Sequence, residues 1–102
     1  MNTAVMKNWS VTTNANGFLA PEMVQCLLQG EIHNDSSKRF KDGDSIITSA
    51  IQQIVDCGTH KVVSTTNTNY EVYPQDVDPR YEVAYPDAYA RLQIICKEGS
   101  MT

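Results

Sequence analysis

Cys57 and His60 stand three residues apart, a spacing that could pair a thiol nucleophile with a general base. A reactive thiolate also needs a neighbour that lowers the thiol pKa and a site that holds the oxyanion. The surrounding residues indicate neither, and both side chains fall on a predicted turn, where polar residues are common. We therefore interpret Cys57 and His60 as turn residues, and we predict no catalytic residue.

The histidines, cysteines and carboxylates are candidates for metal binding and for acid–base catalysis. His33, His60 and the three cysteines lack the short ligand spacings of known metal sites. Four carboxylates could pair for proton transfer, but they fall at predicted helix caps and first turns, where acids are favoured electrostatically: Asp76, Asp78, Glu82 and Asp87. No glycine-rich phosphate loop or nucleophile elbow occurs. The sequence thus predicts no metal and no cofactor.

The distribution of the tyrosines points to binding. All five lie within a short segment that also holds five acids and one base: Tyr70, Tyr73, Tyr81, Tyr85 and Tyr89. Tyrosine combines a large apolar ring with a polar tip, which suits interfaces and partly wet pockets. Two interpretations stay open, since the rings could seal a helix onto a sheet or form a ligand or partner surface. The predicted binding residues are these five tyrosines and Glu82.

The length of 102 residues and the ordinary globular composition predict a single domain over residues 1–102. The formal net charge of −4 disfavours nucleic-acid binding, which relies on clustered lysine and arginine. The one basic cluster, Lys38, Arg39 and Lys41, lies among acids, so we interpret it as a solvated loop. Nucleic acid is accordingly not expected as a partner.

The predicted location is the cytoplasm, without membrane association. No apolar run approaches the roughly twenty residues of a membrane-spanning helix, and residues 1–7 do not read as a signal peptide. The chain has an odd number of cysteines, and they are widely spaced: Cys26, Cys57 and Cys96. That pattern favours free thiols in a reducing compartment over a disulfide framework.

Hairpin strands dominate the first three quarters of the chain, following a flexible tail over residues 1–7. β-favouring residues and turn dipeptides predict strands over residues 8–13, 26–33, 45–55, 61–66 and 70–73. Gly30 inside the second strand predicts a bulge or a close backbone approach. Turns are expected at residues 14–17, 34–43, 56–60 and 67–69, and a short helix at residues 21–25.

Residues 45–55 carry two competing periodicities. Apolar side chains fit a helical stripe, with Gly58 as a stop, but isoleucines and the Thr48–Ser49 pair disfavour a helix. The turns on both sides favour a strand with one bulge, which would also explain isoleucine on both faces. We predict a strand and keep the helix as the alternative.

The last part of the chain is predicted to be helical over residues 78–97. Asp78 before Pro79 suits a helix start, and Pro86 prevents smooth continuation of that helix. A second helix is expected from Pro86 to Lys97, with Gly99 as its stop.

Part of the chain resembles small uncharacterised bacterial domains, some of them similar to products of mobile integron gene cassettes. The resemblance covers residues 20–73 and rests on these elements: Gly30-x-Ile32, Phe40-x-Asp42-Gly43-x-x-Ile46-x-Thr48-Ser49-x-Ile51, Val63-x-Thr65 and Tyr70-x-Val72. It supports the strand at residues 45–55. It implies no catalytic or binding residue.

These observations predict a β-rich α+β fold, a small antiparallel meander or partly open SH3-like barrel with a C-terminal helix. The predicted function is a non-enzymatic protein-interaction module that binds a protein partner or itself, with a homodimer as the default oligomer. The alternative is a small-molecule binder or minor enzyme, whose tyrosine-lined pocket would favour cationic ligands.

Overall fold

The computed structural model describes residues 2–13 and 25–92, and these residues form five strands followed by two short helical elements. The strands are β1 (Asn2–Thr13), β2 (Cys26–His33), β3 (Asp44–Asp56), β4 (Lys61–Thr65) and β5 (Thr68–Val72). A 3₁₀ helix (Pro74–Asp76) and the helix α1 (Pro79–Ala84) follow β5.

The strands form a closed barrel. Each strand pairs antiparallel with the next, and residues 2–5 of β1 pair parallel with residues 68–71 of β5. The predicted β-rich α+β fold, an SH3-like small barrel with a C-terminal helix, is confirmed. The parallel pairing of β1 with β5 closes the barrel, whereas the prediction also allowed a partly open one.

The prediction of a flexible tail over residues 1–7 is wrong for residues 2–7, which belong to β1. Val5 pairs with His33 of β2 on one side and with Glu71 of β5 on the other. Ala4 and Met6 alternate with it and are buried in the barrel core. The N-terminal residues are therefore ordered because they supply the strand that closes the barrel.

β3 confirms the strand predicted over residues 45–55. Its register shifts twice, at Thr48 and Ser49 opposite β2 and at Gln52 opposite β4. Each shift changes the face to which later side chains point, so Ile46, Ile51 and Ile54 all pack against the core despite their odd spacings. Ile47, which alternates with Ile46, is 62% exposed. The two competing periodicities in the sequence of this segment thus arise because a long strand is interrupted by two register shifts.

The other predicted boundaries agree in part. Thr68 and Asn69 belong to β5, so the tight turn lies at Thr66 and Asn67 instead of residues 67–69. The turn predicted at residues 14–17 and the helix predicted at residues 21–25 lie outside the described residues, apart from Gln25.

The helix predicted from Pro86 is wrong for residues 86–91, which form turns. The Glu82 carboxylate accepts hydrogen bonds from the backbone N–H groups of Asp87 (2.6 Å) and Ala88 (3.3 Å). Asp87 has a φ of 61°, in the left-handed region, which interrupts a regular helix. Residues 93–97 of this predicted helix lie outside the described residues. The cap at Asp78 is confirmed, because its carboxylate accepts from the Arg80 N–H at 2.9 Å.

Candidate binding groove

A bulge in β1 shapes the outer surface of the barrel beside β2. Asn8 and Trp9 together stand opposite Gly30, and Asn8 has a φ of 52°. A β carbon on Gly30 would lie 2.7 Å from the Lys7 carbonyl oxygen, so only glycine allows the strands to approach this closely. The close backbone approach predicted at Gly30 is therefore confirmed. The bulge turns Trp9 into the core and leaves Ser10 on the outer face.

Ser10 and Gln29 form the floor of a groove on this outer face. They are paired across β1 and β2, and the Gln29 side-chain amide donates to Ser10 Oγ at 2.8 Å. Ser10 is only 5% exposed. Because its hydroxyl oxygen accepts this bond, the hydroxyl proton and the Gln29 side-chain carbonyl oxygen have no partner among the described residues. With respect to residues 2–13 and 25–92, the floor thus offers one free donor and one free acceptor.

The groove runs across the floor between β3 and the start of α1. Its first section has a volume of about 390 Å³ and is lined by Asn8, Ser10, Gln29, Gly30, Glu31, Ser45, Ile46, Ile47, Asp78 and Arg80. A second section of about 350 Å³ shares its floor and continues between β1 and α1, past Val11, Thr12, Tyr81 and Ala84. We call the two sections together the Ser10–Gln29 groove. It is long, open and part polar.

The α1 wall of the groove is fixed to β1. The Asp78 N–H donates to the Trp9 carbonyl oxygen at 2.8 Å, and Val77 forms a bridge with Trp9. Trp9 Nε1 donates to the Tyr73 carbonyl oxygen at 2.8 Å. At the start of α1, Arg80 Nη2 lies 3.6 Å from Asp78 Oδ2, so the Asp78 carboxylate partly neutralises the charge of this guanidinium.

The predicted tyrosine set is not gathered into one pocket. Tyr70 is buried in the barrel core, where burial raises the pKa of its hydroxyl. Tyr81 and Tyr89 flank the Trp9 ring, with centroid distances of 6.4 Å and 6.3 Å. Tyr85 packs on Tyr81 at 4.9 Å and is 51% exposed. Of the predicted binding residues, Tyr81 alone lines the groove.

Two further members of the predicted set are tied to their neighbours. Tyr73 lies against the His60 ring at 5.1 Å, and its hydroxyl donates to Glu71 at 3.0 Å. That hydrogen bond, with burial, raises the pKa of Tyr73. Glu82 caps the turn after α1, as described above. Neither Tyr73 nor Glu82 borders the groove.

Tyr89 already holds a cation from its own chain. Lys61 is 3% exposed, its Nζ lies 4.6 Å from the centroid of the Tyr89 ring, and it donates to the Tyr89 carbonyl oxygen. Burial and the Asp56 carboxylate raise the pKa of the Tyr89 hydroxyl. The aromatic face that would attract a cationic ligand is thus occupied by Lys61.

Cys57 and His60 lie on the β3–β4 turn and are joined through their backbones, where the Cys57 N–H donates to the His60 carbonyl oxygen at 2.8 Å. The His60 ring nitrogens face other groups, with Nδ1 3.0 Å from Thr59 Oγ1 and Nε2 3.8 Å from Glu71. Over residues 2–13 and 25–92, no three His, Cys, Asp or Glu side chains come together as a metal site.

The basic cluster lies on the loop between β2 and β3, and Asp35 organises this loop. The Asp35 carboxylate accepts from the hydroxyl and N–H of Ser37 and from the N–H groups of Arg39 and Phe40. Arg39 also lies over the Phe40 ring at 5.6 Å. These contacts order a loop, and none of its residues lines the groove.

Ser10, Gln29 and Ile47 were not predicted as site residues. Serine and glutamine on strands are ordinary surface residues, and nothing in their types distinguishes them. One signal pointed to the place, because Gly30 predicted a close backbone approach beside them. The floor of the groove arises from the register of β1 against β2, which brings together two residues 19 positions apart and which spacing does not reveal.

No family model, curated protein or solved structure matches this chain. The resemblance over residues 20–73 therefore stays a prediction. In the described part of the chain, none of the helices has the length and apolar character needed to cross a membrane.

Proposed function

We propose that the chain is a non-enzymatic protein-interaction module that binds an extended segment of a partner protein in the Ser10–Gln29 groove. The observation that carries the proposal is the donor of Ser10 beside the acceptor of Gln29, neither of which has a partner among the residues that the structure describes. A peptide group presents one C=O and one N–H, which complement this donor and acceptor. The length and openness of the groove suit an extended chain.

The rims of the groove supply apolar contacts at both ends. Ile47 on β3 is 62% exposed at one end, and Ala84 of α1 lies at the other. Exposed apolar side chains around a polar centre are typical of surfaces that bind proteins. The partner segment would therefore place apolar side chains on both sides of the peptide group that meets Ser10 and Gln29.

A selection from a library of linear peptides displayed on phage tests this function. We expect peptides selected on the wild-type chain to bind Gln29→Leu about tenfold more weakly, as loss of one buried hydrogen-bond pair implies. Ser64→Ala, on β4 and away from the groove, is the matched control and should bind normally. Failure to select any peptide, or equal binding to Gln29→Leu, would contradict the proposal.

Self-association is a second form of the proposed function, and the exposed end of α1 favours it. Val83 is 82% exposed, and Tyr85, two residues further along the chain, is 51% exposed. An apolar surface of this kind can pair with its own copy in a twofold dimer. Light scattering over a concentration series should show a dimer that Val83→Asp weakens, and a strict monomer would remove this form.

The alternative of a tyrosine-lined pocket for a cationic ligand gains no support from the described residues, because the tyrosines do not share a cavity. A cytoplasmic location remains part of the proposal. Cys57 is a free thiol, as expected in a reducing compartment.

A further inference from the structure

Within the described residues, the middle of β1 pairs with a strand on one of its two sides. Val5 pairs with both β2 and β5, whereas residues 10–12 pair with β2 and with no other described strand. Trp9 marks the change, since its carbonyl oxygen accepts from the N–H of Asp78 at the start of α1. Beyond Trp9, the side of β1 that is turned away from β2 borders the groove section between β1 and α1.

The backbone of Val11 points to this open side. Val11 stands opposite Leu28, and the Leu28 N–H donates to Thr48 Oγ1 at 3.1 Å, in the direction of β3. The N–H and C=O of one residue point to the same side of an antiparallel strand, so Val11 and Leu28 form a pair without hydrogen bonds between them. The Val11 N–H and C=O therefore point away from β2.

These two backbone groups have no partner in the described part of the chain. They border the section of about 350 Å³ between β1 and α1, where Tyr81 and Ala84 form the opposite wall. An unpaired strand edge is a template for another extended chain, because its N–H and C=O groups form the hydrogen bonds that a sheet would form.

We infer that the partner segment binds as an added β-strand between β1 and α1, with one of its residues pairing its backbone with Val11. This inference rests on the proposed function and describes the part of the segment that leaves the Ser10–Gln29 floor and runs along β1. The partner is then an extended segment that carries a residue other than proline at the pairing position, because proline has no N–H to donate. Side chains facing α1 would contact Tyr81 and Ala84.

Hydrogen exchange of the free chain provides the first test. Thr12 forms a hydrogen-bonded pair with Leu27, so its amide should exchange slowly, whereas the neighbouring Val11 amide should exchange at least about tenfold faster. A selected peptide should then protect the Val11 amide. Protection of Val11 equal to that of Thr12 in the free chain would overturn the inference, because the edge would already be paired.

N-methylation of a selected peptide provides the second test, because it removes one backbone donor at a time and leaves every side chain in place. We expect two positions at which N-methylation weakens binding about tenfold or more, one that donates to Gln29 and loses its effect in the Gln29→Leu variant, and one that donates to Val11 and keeps its effect there. If the effect of N-methylation disappears at every position in the Gln29→Leu variant, strand addition is wrong and the proposed function stands. If no peptide is selected at all, both are wrong.

Discussion

The side-chain amide of Gln29 donates to Ser10 Oγ at 2.8 Å, between two residues whose backbones are also paired. This hydrogen bond fixes the orientation of both side chains, because the hydroxyl oxygen faces the amide. The hydroxyl proton and the amide oxygen are then available to a peptide group in the groove. The binding capacity we propose depends on this arrangement more than on any single charged residue.

Ser10→Ala should separate binding from folding. The variant removes the free donor and the acceptor for Gln29, so we expect about tenfold weaker binding of a selected peptide. The free energy of unfolding should fall by only about 1 kcal/mol, the usual net value of one hydrogen bond. Calorimetric titration and urea unfolding measure the two effects. Unchanged affinity in a well-folded Ser10→Ala variant would contradict the role of this hydroxyl.

Gly30→Ala should destabilise the barrel through a steric clash. The new β carbon would lie 2.7 Å from the Lys7 carbonyl oxygen, which belongs to the backbone and cannot rotate away. We expect a loss of about 1–3 kcal/mol, typical of overpacking. Gly43→Ala is the matched control, because Gly43 has a φ of 93° but a β carbon added there would meet no atom within 4 Å. This variant should lose only the stability that backbone strain costs, about 1 kcal/mol. Equal losses in the two variants would argue against the clash.

Tyr89→Phe should leave the free energy of unfolding unchanged or raise it by up to about 1 kcal/mol. The Tyr89 hydroxyl is buried without a hydrogen-bond partner among the described residues, which is unfavourable, while the ring keeps its contact with Lys61. Tyr73→Phe, which loses a hydrogen bond to Glu71, should lower the stability instead. Urea unfolding of both variants checks the contrast, and a clear loss in Tyr89→Phe would show that its hydroxyl has a partner.

Asp35 should contribute stability at neutral pH that is lost in acid. Burial alone would raise its pKa, but the hydrogen bonds from Ser37, Phe40 and Arg39 outweigh burial and lower it below 3.8. A pKa lowered by folding stabilises the folded state above the unfolded pKa, and this contribution disappears as the pH falls through the folded pKa.

Asp35→Asn therefore provides the comparison for this pH dependence. The variant should be less stable than the wild-type chain at about pH 7, and the difference should shrink at about pH 3, below the ordinary carboxyl pKa, where the stability that comes from the lowered pKa of Asp35 is partly lost. Urea unfolding at the two pH values measures it. A difference of equal size at both would mean that the carboxylate charge does not hold the loop.

The barrel was largely predictable because local chemistry marks its elements. Asp42 and Gly43 predicted one turn, Gly58 predicted another, and β-branched residues predicted the strands between them. The strand conformation at the start of β1 was not predictable, since it depends on pairing with β5, whose residues are more than sixty positions away in the sequence. The irregular turn after Pro86 depends in the same way on a contact, in this case between Glu82 and Asp87.

The candidate site was less predictable than the fold. The cluster of tyrosines pointed to a binding surface, but Tyr70, Tyr81 and Tyr89 pack into or against the core. Ser10 and Gln29 become neighbours only through the pairing of β1 with β2, and their free hydrogen-bonding groups depend on that pairing. Such a site has no signature in residue type or spacing.

The most direct test of the central claim is a two-dimensional NMR titration of the ¹⁵N-labelled chain with a peptide selected on it. We predict that the largest chemical-shift changes occur at the backbone amides of Ser10 and Val11 and at the side-chain amide of Gln29, with smaller changes at Arg80. Changes centred instead on Tyr73 and its surroundings, with the Gln29 side-chain signal unmoved, would contradict the account.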